Sequence, residues 1–363
     1  MAEEKEAKVI YEEVPAQGAP ADGAAAPVAA APAADAAKVP AADAAKVPAD
    51  EKPALKMSAK ALKKGGFMAQ KQRGFYALRL RVVGGDLNVR QLRTIADVAE
   101  KYGHGYFHMT SRQSIEIPFI NIQDADEVKA VLAEGGVEPG CCGPRVRTVT
   151  ACQGNGVCPS ANIDTYDIAK KLDARYYGRD LPGKFKFGVT GCQNNCLKAE
   201  ENDLGIKGGR EVKWLAEPCI HCGICSKVCR FDAITDDGEK IVVDYDKCVS
   251  CGKCAQKCPV DAWESTPVYN LMFGGLFGNH ITKGKSVLPP VRTQEQLFRV
   301  ADATIQWFDD HAKAGDRFKF TLDREGWDSM VEAVTAAYNE PDTGDTPEDK
   351  IRYVPEQDEP IEA

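Results

Sequence analysis

The chain has 363 residues, room for two or three domains, and its 44% hydrophobic and 28% charged residues are ordinary for a globular protein. The formal net charge of −8 resolves into −4 over residues 1–57 and −7 over 340–363, leaving +3 for the body between them. A mildly basic body without a dense Lys/Arg stripe argues against nucleic acid as partner and suits a small anion, and no apolar run reaches the length of a membrane span.

The opening "MAEEKEAKVIYEE" is charged and has no apolar h-region, which predicts no signal peptide and a cytoplasmic location. Residues 1–57 form an Ala/Pro-rich tail, with "AADAAKVP" repeated at 33–40 and 41–48; such a segment cannot bury a core and is expected to be a mobile tether. Residues 67–135 read strand, helix, strand, helix: "FYALRLRVV" alternates, "NVRQLRTIADVAEKYG" has apolar residues at helical spacing, "YFHMTSRQSIEIPFI" is strand-like and "DADEVKAVLAEGG" helical. Residues 136–212 hold the first four motif cysteines around the helix "NIDTYDIAKKLDARYYG" and the strand "KFKFGVT". Residues 265–339 return to a glycine-rich loop, "FGGLFGNH", and two amphipathic helices around "RFKFTLDREG", before the acidic tail 340–363.

Fourteen cysteines at short gaps, in a chain expected to keep its thiols reduced, point to metal ligation rather than disulfides. In 213–264 the run Cys219-x2-Cys222-x2-Cys225-x3-Cys229 is followed by Cys248-x2-Cys251-x2-Cys254-x3-Cys258-Pro259. This is the bacterial two-cluster ferredoxin spacing, in which the fourth cysteine of each run ligates the other cluster. It assigns Cys219, Cys222, Cys225 and Cys258 to one 4Fe–4S cluster and Cys248, Cys251, Cys254 and Cys229 to a second, in preference to zinc. Arg230 stands where proline usually follows the fourth cysteine.

Upstream lie Cys152-x5-Cys158 and Cys192-x3-Cys196, two pairs outside that pattern. Taken together in this order they resemble the signature of the siroheme-dependent sulfite and nitrite reductase family, in which a 4Fe–4S cluster is joined through a cysteine to siroheme iron. The resemblance covers nearly all of residues 67–335. It implies an α+β chain: a sulfite/nitrite reductase-like core, made of a ferredoxin-like half (67–135) and a siroheme/4Fe–4S domain (136–212 and 265–339), with an inserted two-cluster ferredoxin domain (213–264) as in dissimilatory and anaerobic-type sulfite reductases. It implies Cys196 as the bridging ligand, Thr110, Arg112 and Gln113 of "MTSRQ" and Asn194 as siroheme contacts, and Arg81, Arg147, Lys184 and Lys186 as anion-binding and catalytic residues. Asp203 and Gly205 of "NDLG" also match. With the two ferredoxin-type clusters, the resemblance implies three 4Fe–4S clusters and one siroheme.

The residues' own chemistry agrees. Reducing sulfite expels oxygens as water, so the site needs fixed positive charge and proton donors; arginine supplies the planar forks, and a crowded lysine can release protons. Lys184 and Lys186 alternate on a strand and share a face. Arg79 and Arg81 could equally line a solvated face, Cys141 and Cys142 read as buried or free thiols, and no histidine is needed as an axial ligand. The expected activity is six-electron reduction of sulfite to sulfide; nitrite reduction to ammonia, or a silent electron-transfer subunit of a larger complex, are the alternatives. No G-x-G-x-x-G opens a helix after a strand, so an external protein electron donor is expected. Larger members of the family carry two copies of the core; one copy here suggests a homodimer or related hetero-oligomer in which each chain completes the other's site.

Overall fold

A computed structural model of the chain describes residues 58–344. The Ala/Pro-rich segment 1–57 and the acidic residues 345–363 lie outside the described residues. The first block runs α1 (Ala59–Lys64), β1 (Phe67–Ala69), β2 (Phe75–Arg81), α2 (Val89–Tyr102), β3 (His108–Met109), β4 (Ile115–Asn121), α3 (Ala125–Glu134) and β5 (Glu138–Pro139). Alternation on β2 and β4 puts Leu78, Leu80, Ile115 and Ile117 on one buried face, where Ile95, Val98, Val128 and Leu132 of α2 and α3 cover them. The strands pair antiparallel in the order β1-β2-β4-β3, with β5 added to β2. A capping box between Asn88 and Gln91 starts α2.

The stretch read as one strand over 106–120 is broken in two. Thr110 donates its N–H to the Ser114 carbonyl at 2.8 Å, and Gln113 adopts the left-handed region at φ +57°. "TSRQ" is therefore the turn between β3 and β4. Apolar residues flank the turn on both sides, Phe107 and Met109 before it and Ile115 and Ile117 after it, so the sequence does not mark the break.

The second block contains β6 (Thr150–Ala151), α4 (Thr165–Tyr176), β7 (Phe187–Thr190) and β8 (Leu204–Trp214); after it come α5 (Ile224–Val228), β9 (Ile234–Asp236), β10 (Ile241–Val243) and α6 (Lys253–Gln256). The chain closes with β11 (Trp263–Phe273), β12 (Leu276–Phe277), β13 (Ile281–Thr282), α7 (Gln294–His311), α8 (Phe318–Glu325) and α9 (Asp328–Asn339). Strands β6, β7 and β8 are parallel, and β11 runs antiparallel to β8 over eleven residue pairs, from Trp263–Trp214 to Phe273–Leu204. Phe185 and Phe187 meet Phe308 and Phe318 in the main core. The "RFKFTLDREG" stretch is itself mostly helix α8, with Phe318 and Leu322 turned inward, so three helices stand where two were expected.

The eight-cysteine segment leaves the second sheet after Trp214 and rejoins it at Trp263. Val212, Ile241, Ala262 and Trp263 give it a small core of its own. Among the described residues, no helix is long and apolar enough to cross a membrane.

Candidate functional site

Two adjoining cavities open beside the β3–β4 turn and the segment leading into β7. One, of about 260 Å³, is lined by Arg79, Thr110, Arg112, Arg147, Lys184 and Lys186 among others, and by no carboxylate among the described residues. The other, of about 400 Å³, shares Ser111, Arg112 and Lys186 with it and reaches Cys196, Lys198, Asn202 and Phe277. One chain thus brings Lys186 and Cys196 to the walls of a single cavity.

Arg79 is paired with Glu116 at 2.6 Å, whereas Arg112 and Arg147 are held by neutral groups that do not cancel their charge. Arg112 donates to the Asn202 side-chain oxygen and the Thr148 carbonyl, both at 3.0 Å. Burial, together with Arg147 and Arg317, pushes its guanidinium down to about 10 against the pull of Asp203. Arg147 donates to the carbonyls of Cys141 and Gly143 at 2.9 Å each, and its buried Nε has no partner. Lys184 and Lys186 flank Phe185, whose ring points into the core, so both ammonium groups face the cavity. Burial pushes Lys186 down to about 8, helped by Arg112, Arg317 and Lys184 and opposed by Asp203; Lys184 is lowered by burial and by Arg317, Arg147 and Arg79, again against Asp203. Asp203 is fully buried, accepts the Lys186 backbone N–H at 2.9 Å and is clasped by Arg317.

The remaining residues singled out in the sequence are placed differently. Gln113 donates to the Ala151 carbonyl at 2.7 Å and accepts the Ala151 N–H at 3.0 Å, which ties β6 to the turn and commits its amide away from the cavities. Arg81 ion-pairs with Asp173 at 2.7 Å and with Glu138, lies over the Tyr177 ring at 4.0 Å, and lines a separate cavity with Asp86 and Lys170. The structure brings Arg79, two residues earlier on β2, to the wall shared with the lysines. Strand alternation identifies the face these arginines share but not the acid on α4 that captures one of them. Asn194 is exposed and offers Cys192 its backbone N–H, whereas the Asn195 side chain caps the turn by accepting from Ala199 N at 2.9 Å. Arg317, 114 residues beyond Asp203, carries no local signal in the sequence.

The cysteines gather in three sets. Cys152, Cys158, Cys192 and Cys196 interact with one another: burial first, then the other three thiols, push Cys192 up. The Cys152 sulfur accepts the Gly191 N–H at 3.1 Å. Cys219, Cys222, Cys225 and Cys258 line one small cavity of the inserted segment, and Cys229, Cys248, Cys251 and Cys254 line another. Burial, with Cys251 and Cys248 close by, pushes Cys254 up to about 12. Among the described residues, no three or more His, Cys, Asp and Glu side chains are placed to hold a single metal ion. Thiols that ring a space, with N–H donors at 3.4 Å on Cys229 and 3.2 Å on Cys258, suit an iron–sulfur cluster, and iron deprotonates a ligating thiol outright.

Residues 68–135 match the nitrite/sulfite reductase ferredoxin-like half domain, and residues 142–341 the nitrite and sulphite reductase 4Fe-4S domain. A subunit of the anaerobic sulfite reductase of Salmonella typhimurium is 34% identical over 171 residues, 43% of this chain and 50% of that protein. The coenzyme F420-dependent sulfite reductase of Methanocaldococcus jannaschii is 34% identical over 162 residues, 45% of this chain and 26% of that one. The chain spans half the length or less of these two relatives, and nitrite reductases match as well. Dissimilatory sulfite reductase I superimposes with a TM-score of 0.60 at 19% identity, covering 74% of this chain and 72% of that one, which shows a shared fold. Siroheme and 4Fe–4S cofactors are what this family implies, and the adjoining cavities and thiol sets fit them. The chain belongs to the nitrite and sulphite reductase family.

Proposed function

We propose that the chain is a siroheme-dependent sulfite reductase that converts sulfite to sulfide in a six-electron reduction. The observation that carries this reading is the group of five cations, Arg79, Arg112, Arg147, Lys184 and Lys186, on the wall of a cavity whose own lining holds no carboxylate and which adjoins Cys196. Sulfite is a small dianion, and fixed guanidinium forks bind such an anion without demanding protons in return. The unpartnered Arg147 Nε and the Thr110 hydroxyl are further donors for an oxyanion or for the carboxylates of the macrocycle. Lys186, held near 8, gives up and regains a proton close to neutrality, as each departing oxygen requires.

Cys152, Cys158, Cys192 and Cys196 would hold the cluster coupled to siroheme, with Cys196 as the shared ligand. When bound, siroheme and this cluster would supply the electrons and the electron-rich iron for cleavage of the sulfur–oxygen bonds. The segment 215–262 would act as a two-cluster ferredoxin domain, fed by an external protein donor. Association into oligomers is proposed because one relative is by its name part of a larger assembly. Nitrite is the second substrate reading, supported by the nitrite reductases among the relatives; a smaller monoanion would use the same cations.

The test is turnover of sulfite and of nitrite with reduced methyl viologen, beside iron, acid-labile sulfide and siroheme counts per chain. Sulfide as product, with siroheme bands and iron for three clusters, is the expected result. Iron–sulfur absorption without siroheme or turnover would overturn it in favour of an electron carrier.

A further inference from the structure

Residue Asn162 lies in the loop before α4, is 3% exposed, and touches both the catalytic thiol set and the inserted segment. Its backbone N–H donates to the Gly191 carbonyl at 2.7 Å, and the Gly191 N–H donates to the Cys152 sulfur at 3.1 Å. Its side-chain Nδ2 donates to the Cys251 carbonyl at 3.4 Å. Its Oδ1 accepts from Arg210 Nε and Gln256 Nε2, both at 3.3 Å. Covalent bonds and three hydrogen bonds therefore join Cys152 to Cys251 without a gap.

A second, independent feature presses the same two loops together. On β8 a Cβ at Gly208 would collide with the Gly191 carbonyl, and one at Gly209 would stand 2.9 Å from the Ser250 carbonyl. Two neighbouring glycines thus admit the loop that carries Cys192 and the loop that carries Cys248 and Cys251. Next to them the Arg210 backbone N–H donates to the Ser250 carbonyl at 2.7 Å, which pins the second loop to the strand. The cavity of Cys219, Cys222, Cys225 and Cys258 is lined by residues 219–263, with Cys222 and Ile220 exposed.

We propose that Asn162 and the glycine pair Gly208–Gly209 are positioning residues that make the cluster of Cys248, Cys251, Cys254 and Cys229 the inner relay, leaving the Cys219 set as the outer entry point. This rests on the reading under Proposed function that both sets of the inserted segment hold clusters. In the step itself one electron leaves the reduced inner cluster, which is oxidised, and reduces the cluster at Cys152; no bond breaks and no proton moves. The electron comes from a low-potential protein donor, or from a photoreductant in the test.

The experiment injects one electron by flash photoreduction into full-length holoprotein and follows its arrival at the siroheme bands. Asn162→Asp keeps the acceptor used by Arg210 and Gln256 but removes the donor to Cys251; Asn162→Ala removes both. The expected result is loss of the fast phase in both variants, with iron and sulfide content and thermal midpoint unchanged in Asn162→Asp. A fast phase retained in both overturns the proposal, as does a slowing fully accounted for by a shifted cluster midpoint potential. Spin relaxation tests the order independently of the Asn162 variants. The ferredoxin-type electron paramagnetic resonance signal quickened by the siroheme-side centre should vanish in Cys248→Ala and persist in Cys219→Ala; the reverse overturns it. Wild-type protein that lacks the two ferredoxin-type clusters overturns this proposal together with the reading it rests on, whereas a fully loaded protein with no effect of Asn162 overturns this proposal alone.

Discussion

Lys186 donates its backbone N–H to the Asp203 carboxylate at 2.9 Å, and Arg317 clasps that carboxylate through two contacts of 3.0 Å. The backbone of Lys186 thus rests on a buried acid that does not line the cavity. Removing it leaves Arg317 buried without its partner. Asp203→Ala is expected to cost about 3–5 kcal/mol of stability, the range for breaking one side of a buried pair, read from the shift in denaturant midpoint. It should also lower the Lys186 pKa further, because the charge of Asp203 holds it up.

The pH dependence follows from Lys186. Its pKa in the folded chain is about 8, below the ordinary lysine value of 10.5. The unfolded chain therefore binds more protons between those values, and the contribution of this group to stability rises with pH across that window. Below about pH 8 the folded state carries the full cost of the buried charge. Lys186→Met should relieve that cost and raise the melting temperature at pH 7 while abolishing sulfite turnover, the usual opposition between a working site and a stable one. In the wild type, kcat for sulfite should fall as pH rises through about 8, as the proton donor empties. A flat profile from pH 7 to 9 would remove Lys186 as donor.

The Gln113 amide holds the backbone of Ala151 through two hydrogen bonds of 2.7 and 3.0 Å, although its sequence context suggests a cofactor contact. Gln113→Ala leaves a buried peptide unit without partners. An expected loss of about 1–3 kcal/mol should appear in the denaturant midpoint, with siroheme content of the folded protein unchanged. Siroheme loss without a stability change would restore the cofactor role.

What the sequence reveals here depends on the range of the interaction. Cysteine spacing is a local geometric constraint, and the two cavities of the inserted segment collect the two quartets that the spacing assigns. Lys184 and Lys186 are legible for the same reason, since alternation over three residues suffices. The turn at Thr110–Gln113 is hidden because apolar residues flank it on both sides, Phe107 and Met109 before it and Ile115 and Ile117 after it. Arg317 and Asn162 are hidden because their partners lie far along the chain, Asp203 for one and Cys251 for the other.

Arg79 and Arg81 separate binding from scaffolding. Both project from the same face of β2, but Arg79 is 44% exposed and lines the cation-rich cavity, whereas Arg81 pairs with Asp173, whose side chain is 1% exposed. Arg81→Ala should cost about 3–5 kcal/mol by stranding that carboxylate and leave sulfite affinity of the folded protein unchanged. Burial already raises the Asp173 pKa against the pull of Arg81. Without Arg81 it rises further, so the folded state of the variant binds an extra proton and its deficit should shrink as pH falls from 8 toward 5. Arg79→Ala should do the opposite: a small change in stability, because its Glu116 partner is partly solvated, and weaker sulfite binding by calorimetry. If Arg81→Ala weakens binding and Arg79→Ala does not, the anion sits in the cavity that Arg81 lines with Asp86 and Lys170.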